Sequence, residues 1–247
     1  NNSNIAYLAS PNGGIWKTTN FLATAQVTGK QNPGDPEVTV TVPAPTWAPL
    51  TDLNQSLSIS ALVIDPANSS ILYAGTGNNS SSAVAGAQIG LLKSTDAGVT
   101  WSSIGNGTFN DLSIIQILVF HPTAVAGDGS SDKLLVATSG GLYTTGLDGA
   151  SPTKVNGLPD GGLTDLVRQT PTSATVFAAI ANMGVYSSTD FGSNWTSSLP
   201  LPQATRIRLA VGTDGTLYAA ALGTYTTVAA SNGVSNKAGQ KVLSLTR

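Results

Sequence analysis

Arg168, Arg206 and Arg208 are three of the four arginines in this 247-residue chain, and they fall within a short stretch that also holds Asp165. Guanidinium groups are planar donor forks that match carboxylates, so three of them could hold an anionic ligand. Arg206 and Arg208 are two residues apart, which on a strand puts them on the same side. A plainer reading has these arginines neutralise Asp165 and line a solvated channel. Glycoside hydrolysis would need two carboxyl groups roughly 5–10 Å apart. Asp65, Asp111, Asp160 and Asp165 lie near strand ends and form the available pool, because the single glutamate, Glu37, sits in an inserted segment. Asp65 precedes Pro66 in a turn that His121-Pro122 and Thr170-Pro171 repeat. A turn role therefore suits both Asp65 and His121. With one histidine and no cysteine, neither a Ser/His/Asp triad nor a transition-metal site has convincing parts. The stretch GDGSSD at 127–132 has calcium-loop-like oxygens but is too short for the EF-hand pattern, so it reads as an exposed turn. No catalytic residue, metal or cofactor is assigned.

Such side chains must be positioned by something, and composition points to strands. Gly, Ser, Thr, Asn and Ala dominate, which suits short strands and tight turns and offers little to long helices. Eleven basic and 13 acidic residues leave a net charge of −2, which gives no ground for a nucleic-acid or membrane-surface partner. No apolar run approaches the roughly 18 residues of a membrane span. The lack of cysteine excludes disulfides and is common in secreted bacterial proteins. No signal peptide is recognisable and Asn1 is not preceded by Met, so Asn1 is read as a processed or cut end.

A repeat organises the chain. Gly14-Ile15-Trp16-Lys17-Thr18, Gly90-Leu91-Leu92-Lys93-Ser94, Gly141-Leu142-Tyr143-Thr144-Thr145 and Gly184-Val185-Tyr186-Ser187-Ser188 are copies of one unit. Gly223-Thr224-Tyr225-Thr226-Thr227 reads as a fifth. Each glycine follows a β-rich run, and four of these runs are preceded by another, with Pro or Asp-Gly turns between. A further short strand follows each copy; in the last unit it is QKVLSL. The spacing predicts four antiparallel strands per unit and no helix. Thr46-Trp47 matches Thr100-Trp101, so 21–45 is an insertion, read as a protruding hairpin.

After two of these units the spelling is S-x-D-x-G-x-x-W: Ser94, Asp96, Gly98, Trp101 and Ser188, Asp190, Gly192, Trp195. The first unit keeps Thr18, Asn20 and Trp47; the third and fifth keep only hydroxyls. These motifs resemble the Asp-box, or bacterial neuraminidase repeat, of β-propellers, a group that includes sialidases, xyloglucanase-type hydrolases, sortilin-like receptors, a photosystem assembly factor and secreted bacterial proteins. The resemblance places the boxes on the outer rim, between third and fourth strands. Asp96 and Asp190 are expected there as buried residues accepting backbone N–H groups, with glycine supplying a left-handed turn. Three arginines grip the substrate carboxylate in sialidases, but the Arg-Ile-Pro motif is absent here; Arg206-Ile207-Arg208 is the nearest string.

The expected architecture is an all-β propeller of four-stranded antiparallel blades, five visible and the first incomplete. Their approximate bounds are 1–54 with the inserted hairpin 21–45, then 57–107, 112–158, 162–200 and 204–247. The chain is expected to be part of a longer one, with its first blade lacking an innermost strand. The expected function is a non-catalytic extracellular or cell-surface bacterial scaffold, adhesion or carbohydrate- or protein-binding module, with Arg168, Arg206, Arg208 and Asp165 as ligand-binding candidates. Self-association, or pairing with a missing propeller segment, is a further expectation. The alternatives are a sialidase- or xyloglucanase-like hydrolase fragment and an assembly-factor propeller.

Overall fold

The computed structural model describes residues 3–30, 33, 35–77, 86–122 and 132–223, and the backbone of 240–245. All regular structure among them is β. The first sheet contains β1 (Ala6–Ser10) and β2 (Gly14–Thr18). A separate hairpin of β3 (Thr24–Gly29) and β4 (Val38–Pro43) interrupts it before its outer strand, β5 (Ala48–Pro49). The second sheet runs β6 (Ile59–Ile64), β7 (Leu72–Thr76), β8 (Leu91–Ser94) and β9 (Ser102–Ile104). The third is β10 (Ile114–Phe120), β11 (Lys133–Thr138), β12 (Gly141–Gly146) and β13 (Thr153–Lys154). The fourth is β14 (Leu163–Arg168), β15 (Val176–Ile180), β16 (Gly184–Ser188) and β17 (Thr196–Pro200). The fifth consists of β18 (Ala204–Val211), β19 (Leu217–Gly223) and β20 (Gln240–Leu245).

The sheets are antiparallel meanders packed face to face in chain order. Ile15, Ile59, Ala74 and Leu92 join the first two. Tyr73, Leu91, Ile117 and Leu134 join the second and third, and Phe120, Leu135, Leu166 and Trp195 the third and fourth. Val185, Ile207, Leu209 and Leu217 join the fourth and fifth. Because β7 and β11 are covered on both faces, they read as continuous apolar runs rather than alternating ones.

A register shift recurs near the start of β6, β10, β14 and β18. It leaves Ser60, Ile115, Thr164 and Thr205 as the extra residues, a β-bulge at the same place in four sheets. The bulged hydroxyls tie neighbouring inner strands together. Ser60 Oγ donates to the Ile114 carbonyl at 2.6 Å, and Thr164 Oγ1 to the Ile207 carbonyl at 2.9 Å.

The third strands begin on glycines in the left-handed region, with φ of 68° at Gly14, 89° at Gly90, 132° at Gly141 and 129° at Gly184. A Cβ on Gly184 would run into the Leu199 carbonyl. Gly184→Ala is therefore expected to cost about 1–3 kcal/mol from backbone strain alone, read as a shift in the urea midpoint. A change below a few tenths would refute that role.

Gly223 is not among the glycines with positive φ, and it ends β19 rather than opening a third strand. The expectation that QKVLSL is the outermost of four strands in the last unit, one strand removed from β19, is corrected here. Residues 240–245 pair directly with β19, from Leu217↔Leu245 to Leu222↔Gln240. A matching Gly-x-Tyr spelling is a weaker signal than a six-residue ladder. Residues 240–245 are not in the sheet that contains β1. Residues 224–239, and 127–131 of the GDGSSD stretch, lie outside the described residues.

Candidate binding site at the axis

An open cavity of about 480 Å³ lies between the first sheet and the inner strands of the second and fifth. Ala9 and Pro11 line one side, Ile59 to Leu62 of β6 another, and Arg206 and Arg208 of β18 a third. Arg208 donates from Nη1 to the Thr164 carbonyl at 3.2 Å and lies 3.9 Å from Asp165 Oδ2, with 48% of its side chain exposed. Asp165 is buried and serves the backbone. Its Oδ1 accepts from Leu166 N–H at 2.9 Å and its Oδ2 from Leu209 N–H at 2.8 Å, across the fourth and fifth sheets. Two guanidinium groups therefore line the cavity beside a carboxylate that accepts two backbone N–H groups and lies within ion-pair distance of Arg208.

Arg168 does not join them. Counted from the bulges, it corresponds to Leu209 and points to the opposite face of its sheet. Its guanidinium stacks over Phe120, 4.5 Å from the ring centroid, and near Phe191 at 5.8 Å. Its Nε donates to the Ser173 carbonyl, and burial lowers its pKa. With His121 and three prolines it lines a separate cavity of about 280 Å³.

The other carboxylates of the pool are dispersed. Asp160 is exposed and pairs with Lys154 at 3.0 Å. Asp111 occupies a loop at φ 61°, where its N–H donates to the Gln88 carbonyl. Asp65 is buried, accepts from Ala67 N–H at 2.8 Å and meets His121 Nε2 at 2.7 Å. His121 Nδ1 meets Asp132 at 2.8 Å, so one imidazole bridges two aspartates and links the second sheet to the third. The aligned Asp-Pro and His-Pro turns were the sequence signal that these residues could meet.

The aspartate turns correct a second expectation. Asp96 is exposed and Asp190 only half-buried; the serines are the buried members, at 1% for Ser94 and 2% for Ser188. Ser94 Oγ accepts Gly98 N–H at 2.9 Å and donates to Asp96 Oδ1 at 2.8 Å. Ser188 repeats this with Gly192 and Asp190 at 2.9 and 2.7 Å. The carboxylates close the turns from the solvent side, Asp96 accepting from Thr100 N–H and Oγ1, and Asp190 from Ser193 and Asn194. Hydrogen bonds led by Thr100 hold Asp96 at a pKa of about 2. At Asp190 burial pushes upward, but hydrogen bonds from Asn194, Ser188 and Ser193 outweigh it and also give about 2. Their contribution is full above the usual 3.8 and is lost as pH falls through 2. In the first sheet Asn20 Oδ1 accepts from Thr18 Oγ1, Thr46 N–H and Thr46 Oγ1, the set Asp96 binds.

Two features escaped the sequence reading. Gly149, at φ 74°, follows Thr145 by the interval that separates Gly98 from Ser94, so the third unit keeps a glycine as well as a hydroxyl. Lysine and tyrosine pairs also fasten two of the turns to the preceding sheet. Tyr7 and Lys17 both donate to the Ala97 carbonyl, and Tyr73 and Lys93 both donate to the Leu147 carbonyl. Burial lifts the Tyr73 phenol to about 12, so it remains a donor.

These stacked antiparallel sheets around an axis define an all-β protein of the β-propeller class. Among solved structures, an ancestral GH74 enzyme matches at a TM-score of 0.58 and 21% identity, covering 90% of this chain and 26% of that one. YCF48 from Cyanidioschyzon merolae matches at 0.50 and 16%, covering 87% and 63%. The chain thus spans about a quarter of the GH74 enzyme and under two thirds of YCF48. No protein-family model matches the sequence, and no curated protein matches it.

Proposed function

We propose that this chain is a non-catalytic propeller module of the Asp-box type, acting outside the cell as a binding scaffold whose axial cavity takes a carboxylate-bearing protein or glycan. The observation that supports this is the cavity wall: it carries two arginines, Arg206 and Arg208, and one nearby carboxylate, Asp165, which is 3.9 Å from Arg208 and also accepts two backbone N–H groups. Guanidinium pairs bind carboxylates well, whereas hydrolysis needs two carboxyl groups spaced across a glycosidic bond. Asp65, Asp111 and Asp160 each serve a different local partner, which argues against such a pair among them.

A glycan array, read by binding and by turnover, tests this. Acidic glycans are expected to bind, and Arg206→Ala with Arg208→Ala should weaken them about tenfold or more, as loss of charge-assisted hydrogen bonds implies. Turnover of sialosides or β-glucans that Asp111→Asn or Asp165→Asn abolishes would overturn the reading. It would favour the second one, a hydrolase fragment, for which the likeness to the GH74 enzyme speaks.

A further inference from the structure

We propose that the hairpin of β3 and β4 is a self-association surface. Its partner is the same hairpin of a second copy of this chain, joined edge to edge through β4 about a two-fold axis at Val40. The hairpin contributes no residue to the cavity walls described above. It is a two-stranded sheet of its own. Its register pairs Ala25 with Val42, Val27 with Val40 and Gly29 with Val38, so one face is apolar throughout. On the other face Gln26 bonds to Thr41 at 2.8 Å and Thr28 to Thr39 at 2.7 Å. Every residue of the two strands is exposed except Val42, which is half-buried. A lone two-stranded hairpin is marginal in water, and further strands stabilise it.

The phase of the hairpin ladder fixes what the outer edge of β4 presents. Ala44 N–H donates to the Ala23 carbonyl at 2.8 Å, and bonded pairs alternate along an antiparallel ladder. Val38, Val40 and Val42 therefore turn their peptide groups toward β3, and Thr39 and Thr41 turn theirs outward. Pro43 falls at an outward position too, where its missing N–H leaves the hairpin ladder whole. Among the described residues no strand pairs with that edge.

A second β4 fits this edge best in one register. With Thr39 bonded to Thr41 of the other copy, and Thr41 to its Thr39, Val40 lies opposite Val40. All three valines of each copy then meet valines, and the apolar faces join into one four-stranded surface. Axes at Thr39 or Thr41 keep the amide phase but leave a valine of each copy without a valine opposite. The axis at Thr41 also sets Thr39 against Pro43, which cannot donate. Neither strand carries a charge, so the axis brings no like charges together. The lysines and inward charges that keep sheet edges apart are absent from β4. Glu37, just before β4, lies at opposite ends of the joined pair, about 20 Å from its counterpart. The contact is smaller than the roughly 800 Å² per partner of a standard interface, so the dimer is a weak one.

Sedimentation velocity of the 247-residue chain, from about 1 to 500 µM, is expected to show a reversible monomer–dimer equilibrium. Val40→Lys sets two ammonium groups side by side at the axis and is expected to leave a monomer, as is Val40→Glu. A mixture of the two is expected to dimerise again, because each lysine then meets a glutamate. The chain has no cysteine, so Val40→Cys introduces a single thiol. Opposed residues of a non-bonded pair have Cα atoms about 4.5 Å apart, within disulfide reach. An added oxidant should therefore link this variant into a covalent dimer. Thr39→Cys, offset by two residues from its counterpart, should link about tenfold less. Thr41→Pro removes an outward N–H without touching the β3 ladder and should weaken association about tenfold. A chain that stays monomeric across the range, a dimer that Val40→Lys leaves intact, or equal cross-linking from positions 39 and 40 would overturn the proposal. So would a lysine–glutamate mixture that stays monomeric. Each variant is expected to keep the acidic-glycan binding of the unaltered chain, so this proposal and the binding-module reading fail separately.

Discussion

Trp195→Ala is expected to destabilise the fold by about 3–5 kcal/mol, the range for removing a large aromatic from a core. The indole is 9% exposed and packs in the cluster of Phe120, Leu135 and Leu166 that joins the third and fourth sheets. Its Nε1–H donates to the Gly192 carbonyl at 2.9 Å, so its one polar group is satisfied. The substitution leaves a cavity between two sheets and an unmade hydrogen bond in the turn. Asp190→Ala should cost much less, because its carboxylate is half-exposed and water can replace it at the Ser193 and Asn194 amides. Trp101 makes the same bond to Gly98 at 3.0 Å but is only half-buried, so Trp101→Ala should fall between the two. Equilibrium urea unfolding of the three variants supplies the order. Equal losses for Asp190→Ala and Trp195→Ala would mean that the carboxylate, not the indole, holds the turn to its neighbour.

His121→Ala is expected to cost about 3 kcal/mol at mildly acidic pH, and progressively less as pH rises. Removing His121 leaves the buried Asp65 charge uncompensated, and its side chain retains only the Ala67 amide of its two partners. Burial pushes the His121 pKa down, but hydrogen bonds to Asp132 and Asp65, together with their charges, outweigh it and raise the value above 6.5. The linkage follows in sign. A raised folded-state pKa contributes stability that is full below the unfolded value near 6.5 and is lost as pH rises through the folded one. The other groups nearby are Arg168, which shares the small cavity, and Tyr73, whose phenol feels both aspartates. Thermal unfolding of both proteins across pH 5 to 9 should show the difference closing on the alkaline side. A gap that is constant across this range would mean that His121 acts through packing alone.

What the sequence determined by itself was local. The glycines opening the third strands, the serine, aspartate, glycine and tryptophan of each turn, and the Asp-Pro and His-Pro corners all act within a few residues of one another. Ser94 reaches Gly98 and Asp96, so their spacing carries the geometry. Strand type was legible for the same reason, because alternation and turn chemistry are short-range signals. The tertiary structure decided matters of parity and partner. Arg168 stands four residues after the bulge at Thr164, whereas Arg206 and Arg208 stand one and three after the matching bulge at Thr205, so the pleat sends Arg168 to Phe120 while Arg206 and Arg208 line the larger cavity. Asp165 reads as a ligand candidate until Leu209, from the next sheet, takes its second oxygen. Asp96 reads as buried because its bonds are many, yet burial depends on which neighbour covers the turn, and there it is the serine that lies beneath. The last strand took its place from a ladder with β19, spanning residues far apart in the chain. No local spelling encodes such pairings, because their energy comes from groups that only folding brings together.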